Sequence, residues 1–402
     1  MPKLNLQKEL AIDRLLSRNV EDVVDRAHLG AMLRSGKKLR VKLGIDPTGT
    51  KVHIGRAVIL WKLREFQDLG HKIVLIVGDF TAQIGDPSDK LAKRPMLSAK
   101  DVKKNLKTYL AQIGKVLDLK KTEIRYNSAW LGKLNFHEIS ELADIFSVQQ
   151  MIERRNFRDR WDRHEEIGLR EFMYPLMQGY DSVVVKADVE LGGTDQLFNL
   201  TAGRRIQERY KQKPQDIMTT KMLSGTDGRK MSTSWGNVIN IIDAPDEQYG
   251  KVMAMHDEQI IEYFTLATDA IEAELTTIED DLKRGANPKL LKQKLALAIV
   301  SRYHGKAKAM RAAEKWEKLF SKKDFSGELP ELVYEKGATT SDIVMKYGEL
   351  KNNSKGEIFR FIKGGAVMWD GRKVLDPLAT FDTARGGEVV KIGKKHFFRV
   401  KK

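Results

Sequence analysis

Two short segments carry groups suited to handling phosphate. GIDPTGTKVHIGRAV (44–58) reads as a strand, a turn and the start of a helix, with Asp46 and Thr48 in the turn and His53 and Gly55 where the helix opens. A helix N-terminus presents unpaired N–H groups and the positive end of the helix dipole, so it receives phosphate. His53 adds a donor, and Gly55 lets a ligand approach the backbone closely. About 175 residues further on, GTDGRKMSTS (225–234) is a Gly/Ser/Thr loop with Arg229, Lys230 and Met231. Such a loop can close over a triphosphate and neutralise charge as it develops. Either segment alone is weak evidence, because His and Gly are common near helix starts and a basic loop is ordinarily just surface.

A third segment has the look of a small-molecule pocket. EFMYPLMQGYD (171–181) places Tyr174, Gln178 and Asp181 at i, i+4 and i+7, on one stripe of one helix. A polar stripe normally faces solvent, but this one is interleaved with Phe172, Met173, Leu176 and Met177. LGGTDQ (191–196) sets Gly193, Asp195 and Gln196 at a strand-to-helix turn suited to a ribose diol. IGDPSDKLAKR (84–94) adds Asp86, Lys90 and Arg94 in a polar loop. None of GxxxxGK[ST], GxGxxG or HExxH occurs. With no cysteine there is no disulfide framework, thiolate nucleophile or thiolate metal site, and no protein metal site is expected.

The elements that must position these residues alternate. LRVKLGI (39–45), KIVLIVGD (72–79) and TEIRYN (122–127) read as strands, 54–69 as a helix, and 137–152 and 170–181 as helices. SVVVKADVEL (182–191) reads as a further strand and 194–210 as a helix. Strands separated by helices argue for an α/β, doubly wound parallel sheet, with ligands at the carboxyl ends of its strands. After Pro245 the pattern is helical to about residue 320, 327–340 reads as a linker, and the last stretch mixes helices with short strands.

The chain has 402 residues, 41% of them hydrophobic, which excludes a disordered chain. No apolar run approaches the ~20 residues a bilayer requires. The N-terminal MPKLNLQKELAIDRLL is a charge-mixed amphipathic helix and not a signal peptide, so a soluble, cytoplasmic protein is expected. The formal charge is +16. Residues 283–323 hold about 13 Lys and Arg against about 2 acidic residues, and 335–402 about 15 against about 8. Two basic segments behind a balanced body read as a nucleic-acid-binding part attached to a catalytic part.

HIGR (53–56) and KMSTS (230–234), in this order on this background, resemble the HIGH and KMSKS signatures of class I aminoacyl-tRNA synthetases. YPLMQGYD…GGTDQ and IGDPSDK…R resemble the substrate segments of bacterial-type tyrosyl-tRNA synthetases, and SDIVMKYGELKNNSKGEIFRFIKGGAVMWDGRKVLD resembles the RNA-binding module at the end of those enzymes. The resemblance covers nearly the whole chain and implies a Rossmann-type catalytic domain (1–243), with an inserted helical segment at about 120–185 forming a homodimer interface. A helical anticodon-side domain (244–326) and a small α+β RNA-binding domain (335–402) would follow. It implies ATP-dependent activation of L-tyrosine to tyrosyl-adenylate, with Mg²⁺ carried on ATP, and transfer to tRNA(Tyr). Asp86, Tyr174 and Gln178 would then hold the substrate ammonium, Asp181 the phenolic hydroxyl, and Lys42 would face the tyrosine. Asp46, Thr48, His53, Gly55, Gly193, Asp195, Gln196, Lys230 and Met231 would meet ATP, and His53, Arg56, Lys90, Arg94 and Lys230 would serve the departing pyrophosphate. Three positions depart from the pattern: Arg56 stands where HIGH has its second His, Thr233 where KMSKS has its second Lys, and Lys42 where many relatives have Tyr. Rival readings are a synthetase-like RNA-binding protein without catalysis, which those departures permit, and a tryptophanyl enzyme, disfavoured by Asp181 and the terminal module.

Overall fold

The run KIVLIV has no polar face, as a strand covered on both sides requires, and Ile73 to Ile76 are fully buried. In the computed structural model, which describes residues 2–88, 96–321, 329–347, 354–381, 386–393 and 396–401, this run is the third strand of a six-stranded sheet. The strands are β1 (Val20–Val23), β2 (Arg40–Ile45), β3 (Lys72–Val77), β4 (Glu123–Tyr126), β5 (Val189–Gly193) and β6 (Asp216–Thr220), in spatial order β1-β6-β5-β2-β3-β4. The strands from β2 to β6 run parallel to their neighbours, and β1 closes one edge antiparallel to β6. The chain winds outward from β2 through β3 to β4, then crosses back to lay β5 on the other side of β2. The winding therefore reverses between β2 and β5, and a crevice opens there at the carboxyl ends of the strands.

SVVVKADVEL is not one strand. Its first part completes a helix, Leu169–Val185, and only Val189–Gly193 is extended. Three consecutive valines favour a strand locally, but Val183 and Val185 bury themselves from the helix, and Lys186 ends it in a left-handed conformation (φ 50°). This helix packs on Leu197–Arg209 so closely that a Cβ on Gly179 would stand 3.1 Å from the Gly203 backbone nitrogen. The helix expected over 137–152 is two, Phe136–Ala143 and Val148–Ile152, each started by its own capping box at Asn135 and Ser147. The strands β1 and β6 carry no strong sequence pattern, being the short runs VEDV and DIMTT.

Residues 1–309 and 310–402 form two compact units. Beyond the sheet the first unit is helical, with Pro245–Ala254, Ile260–Ala267, Glu272–Lys283 and Pro288–His304. The second has a sheet of β7 (Glu331–Val333), β8 (Val367–Trp369), β9 (Arg372–Val374), β10 (Val389–Ile392) and β11 (His396–Lys401), in order β7-β11-β10-β8-β9. Two helices, Thr340–Tyr347 and Lys355–Lys363, cover a core of Leu332, Val344, Ile358, Ile362 and Val390. The stretch read as a linker thus supplies a strand, because β7 pairs parallel to β11. Among the described residues no helix is long and apolar enough to cross a membrane.

Candidate active site

The turn after β2 and the end of β3 build one corner of the crevice. Asp46 Oδ1 accepts a hydrogen bond from Thr81 Oγ1 (2.7 Å), and Oδ2 accepts one from the Tyr174 hydroxyl (2.9 Å). A Cβ on Gly78 would lie 2.0 Å from Asp46 Oδ1 and 2.3 Å from Thr81 Oγ1, so this corner exists only with glycine there. His53 caps the helix Ile54–Asp68, its Nδ1 accepting from the Arg56 backbone N–H (3.2 Å). Burial, helped by the Arg56 charge, pulls the imidazole down to about 3. The ring is therefore neutral, and with Nδ1 used as an acceptor its proton sits on Nε2. The Arg56 guanidinium spans to Tyr109 Oη (2.8 Å) and Thr48 Oγ1 (3.2 Å), tying the helix start to the turn.

The distant basic loop meets this corner. The chain around Val52–Ile54 pairs with Ile239–Ile241, through Ile54 N–H to Ile239 O (2.8 Å) and Ile241 N–H to Val52 O (2.9 Å). That pairing lays the loop over the helix start, where a Cβ on Gly55 would touch Met231 Sδ at 3.0 Å. Lys230 Nζ stands 3.5 Å from Asp195 Oδ2. Gly193 and Gln196 belong to the same turn, with Gln196 Oε1 accepting from Gly193 N–H (3.3 Å) and Nε2 donating to Asp86 Oδ2 (3.2 Å). Asp46, Thr48, His53, Gly55, Arg56, Gly193, Asp195, Gln196, Lys230 and Met231 thus form one connected rim. Lys90 and Arg94 lie outside the described residues.

On the other side of the crevice the helix Leu169–Val185 presents Tyr174, Gln178 and Asp181, all buried. Asp181 accepts from Trp130 Nε1 (2.8 Å) and Asn127 Nδ2 (3.3 Å). Burial pushes its carboxyl up to about 7, against the opposing pull of Lys42 and of those two donors. Asn127 also donates to Thr81 Oγ1 (3.0 Å), so Asp181 and Asp46 are joined through Asn127 and Thr81. Tyr174, buried and facing Asp46, is held well above the usual phenol range and remains a donor. It points to Asp46, whereas Asp86 and Gln178 are linked to each other through Asn199, whose Nδ2 lies 3.4 Å from Asp86 Oδ1 and 3.0 Å from Gln178 Oε1.

Among the described residues expected at the site, Lys42 is the least accessible. Its ammonium donates to Gln178 O (2.8 Å) and Ser182 Oγ (2.8 Å) and pairs with Glu190 Oε1 (2.8 Å). An ammonium has three hydrogens, and all three are taken by protein. Lys42 therefore supports the helix that carries the pocket and has no donor left for a ligand.

Sequence reasoning missed Gly78, Thr81, Asn127, Trp130, Glu190 and Asn199. Only Asn199 and Glu190 had a sequence signal, since they flank GGTDQ; the others come from separate elements and meet only in the fold. Among the described residues no group of three His, Asp or Glu is placed to hold a metal ion.

The family model described as tRNA synthetases class I (W and Y) matches residues 34–321. A tyrosine–tRNA ligase of Thermotoga maritima is 44% identical over 389 residues, covering 96% of this chain and 96% of the relative. One from Moorella thermoacetica is 43% identical over 402 residues, covering 98% and 97%. Among solved structures, a C-terminally truncated mitochondrial tyrosyl-tRNA synthetase of Aspergillus nidulans shares the fold with a TM-score of 0.63 at 20% identity, over 80% of this chain and 100% of that one. A tyrosyl-tRNA synthetase of Archaeoglobus fulgidus, solved with L-tyrosine, gives 0.61 at 20% identity, over 76% and 99%. The family model spans well over half of the chain and the two relatives match nearly all of it, so the chain belongs to the class I tRNA synthetases (W and Y).

Proposed function

We propose that this protein is a tyrosine–tRNA ligase, which joins L-tyrosine to ATP as tyrosyl-adenylate, releases pyrophosphate, and passes the tyrosyl group to the 3′ ribose of tRNA(Tyr). The observation that carries the choice of amino acid is Asp181, a fully buried carboxylate whose two oxygens already accept from Trp130 and Asn127. An acceptor in that position gains one more donor from a phenol and none from a phenyl ring, which leaves it under-satisfied. Indole offers its N–H from a different place on a larger ring, so a tryptophan fits the same stripe poorly.

In the first step the tyrosine carboxylate oxygen attacks the α-phosphorus, forming an O–P bond as the bond to the bridging oxygen of pyrophosphate breaks. The carboxylate is already ionised, so no general base is needed, and catalysis is positioning plus charge stabilisation. Asp86 and Gln178 hold the ammonium through acceptor oxygens. Tyr174 acts on the same side, its hydroxyl anchored by Asp46. Asp195 and Gln196 take the ribose diol, and Asp46 and Thr48 border the nucleotide. His53, neutral and donating from Nε2, works with Lys230, Arg56, Lys90 and Arg94 on the phosphates as charge moves to the leaving group. Mg²⁺ arrives as part of the ATP substrate. Gly55 and Gly193 leave room for the nucleotide, and Met231 covers it.

In the second step a ribose hydroxyl of the tRNA attacks the activated carbonyl and AMP leaves. Residues 1–243 carry the chemistry, with the segment at about 120–185 as the face of a homodimer in the cytoplasm. The basic helical region to residue 326 and the terminal region 335–402 contact tRNA phosphates. Tyrosine-dependent ATP–pyrophosphate exchange tests the reading, with phenylalanine, tryptophan and Asp181→Ala as controls. Exchange with tyrosine alone, lost in the variant, is the expected result. No exchange with any amino acid, while RNA still binds, would overturn it in favour of an RNA-binding protein without catalysis.

A further inference from the structure

Arg154 is the cation of the pocket that no sequence motif marked. It precedes the helix Arg155–Asp162, is 8% exposed, and lies between two rings, 5.0 Å from the Phe157 centroid and 4.5 Å from that of Phe198. Burial draws it down only to about 10, so it stays charged at neutral pH. Its Nη2 donates to Asn199 Oδ1 (3.1 Å) and Ser88 Oγ (3.3 Å). Asn199, fully buried, in turn donates from Nδ2 to Gln178 Oε1 (3.0 Å) and Ser88 Oγ (3.1 Å), with Asp86 Oδ1 at 3.4 Å. Gln178 then donates from Nε2 to Glu190 Oε1 (3.0 Å).

This chain has a direction. A guanidinium can only donate and a carboxylate can only accept, so with Arg154 at one end and Glu190 at the other the two amides between them have one permitted orientation. Asn199 must turn its oxygen to Arg154 and its NH₂ to the acceptors, and Gln178 must turn its NH₂ to Glu190. Asp86 Oδ1 is taken by the Ser88 N–H (2.9 Å) and Ser88 Oγ (2.7 Å). The remaining lone pairs of Gln178 Oε1 and of Asp86 Oδ2, which among the described residues accepts only from Gln196 (3.2 Å), are then the groups left to meet a ligand. Both are acceptors, which suits an ammonium; a reversed amide would point N–H at a cation.

We propose that Arg154 is a positioning residue for ammonium recognition, which acts through Asn199 to hold Gln178 and Asp86 with their acceptor atoms toward the amino group of the substrate. The inference rests on the reading of the site as an amino-acid pocket, and it adds a residue that touches no substrate. The Phe157 and Phe198 rings hold the guanidinium plane in place by packing and cation–π attraction. A lysine there keeps the charge and loses the planar fork.

The test compares three ligands in the full-length protein: L-tyrosine, tyramine (no carboxylate) and 3-(4-hydroxyphenyl)propionate (no amino group). Dissociation constants are measured for the wild type, Arg154→Met and Arg154→Lys, together with thermal melts and the KM for ATP in pyrophosphate exchange. Arg154→Met is expected to weaken tyrosine and tyramine by roughly tenfold or more, the scale of a lost charge-assisted hydrogen bond. The propionate should change by less than about twofold, and the KM for ATP should not move. Arg154→Lys should show the same selectivity at smaller size, and it carries the test if Arg154→Met does not fold. Equal weakening of all three ligands would show a merely structural role, and weakening of only the two carboxylate ligands would show a direct carboxylate contact; either overturns the proposal. Absence of tyrosine binding and exchange in the wild type would instead count against the ligase reading itself.

Discussion

Lys42 and Glu190 stand opposite one another on adjacent parallel strands, 2.8 Å apart, and neither side chain exposes any surface. The pair sits at the winding reversal, directly behind the helix that carries Gln178 and Asp181. It occupies the place where the resemblance implies a tyrosine-facing group, and its Lys42 holds Gln178 O and Ser182 Oγ from behind.

Removing one member of a buried pair leaves an uncompensated charge and costs about 3–5 kcal/mol, whereas replacing both by neutral groups costs far less. Lys42→Met is therefore expected to lower unfolding free energy by that amount. The double variant Lys42→Met/Glu190→Gln, which keeps an acceptor for Gln178, should recover most of it. Urea unfolding of both variants checks this, and equal destabilisation of single and double would show that the pair is not the unit.

Asp181 makes both stability and activity depend on pH. Its folded value, about 7, lies above the ordinary carboxylate value, so the folded protein binds this proton more tightly than the unfolded chain does. Its contribution to stability is full below about pH 4 and is lost as pH rises to about 7. Asp181→Asn should abolish that slope, seen as urea midpoints at about pH 5 and about pH 8 lying closer together than in the wild type. The variant also turns an NH₂ toward Trp130 or Asn127, both donors, and should lose tyrosine activation by about 10²-fold or more. In the wild type, kcat/KM for tyrosine should rise with pH up to about 7 as the carboxylate forms. A flat profile over that range would count against Asp181 as the phenol acceptor.

Gly78→Ala tests the Asp46 corner. The added methyl would sit 2.0 Å from Asp46 Oδ1, so Asp46 must move and release Thr81 and Tyr174. Overpacking of this kind costs about 1–3 kcal/mol. Pyrophosphate exchange is expected to fall by more than about tenfold, with a raised KM for ATP. Unchanged kinetics in a folded variant would remove Asp46 from the nucleotide site.

Lys230→Ala separates chemistry from stability. The Lys230–Asp195 pair is partly exposed at 3.5 Å and adds little to folding. Loss of the ammonium should nevertheless lower kcat for exchange by about 10²–10³, the size of removing one preorganised transition-state donor, with the KM for tyrosine unchanged. A fall in tyrosine affinity with kcat preserved would place Lys230 outside the phosphate rim.

The motifs carrying polar groups at helical or turn spacing could be read directly, because their periodicity is local: Tyr174, Gln178 and Asp181 on one helix stripe, His53 and Gly55 at a helix start, Asp195 and Gln196 in a turn. The alternation of strands and helices along the chain also specifies a doubly wound sheet. It failed where local preference and packing conflict, as at Ser182–Val185, whose β-branched run lies in a helix because its valines bury themselves there.

What only the tertiary structure decided is how those motifs are wired together. That Met231 covers Gly55, that Trp130 and Asn127 meet Asp181, that Lys42 pairs with Glu190, and that Arg154 reaches Asn199 all depend on strand order and helix packing. These contacts join residues tens to hundreds of positions apart. Hydrogen-bond partners at that range are set by which strands become neighbours and how closely helices approach, as Gly179 against Gly203 shows, and no periodicity along the chain encodes them. The sequence by itself determined which chemical groups are available and which local elements present them; the fold determined which donor faces which acceptor, because burial makes each of those pairings costly to leave unmade.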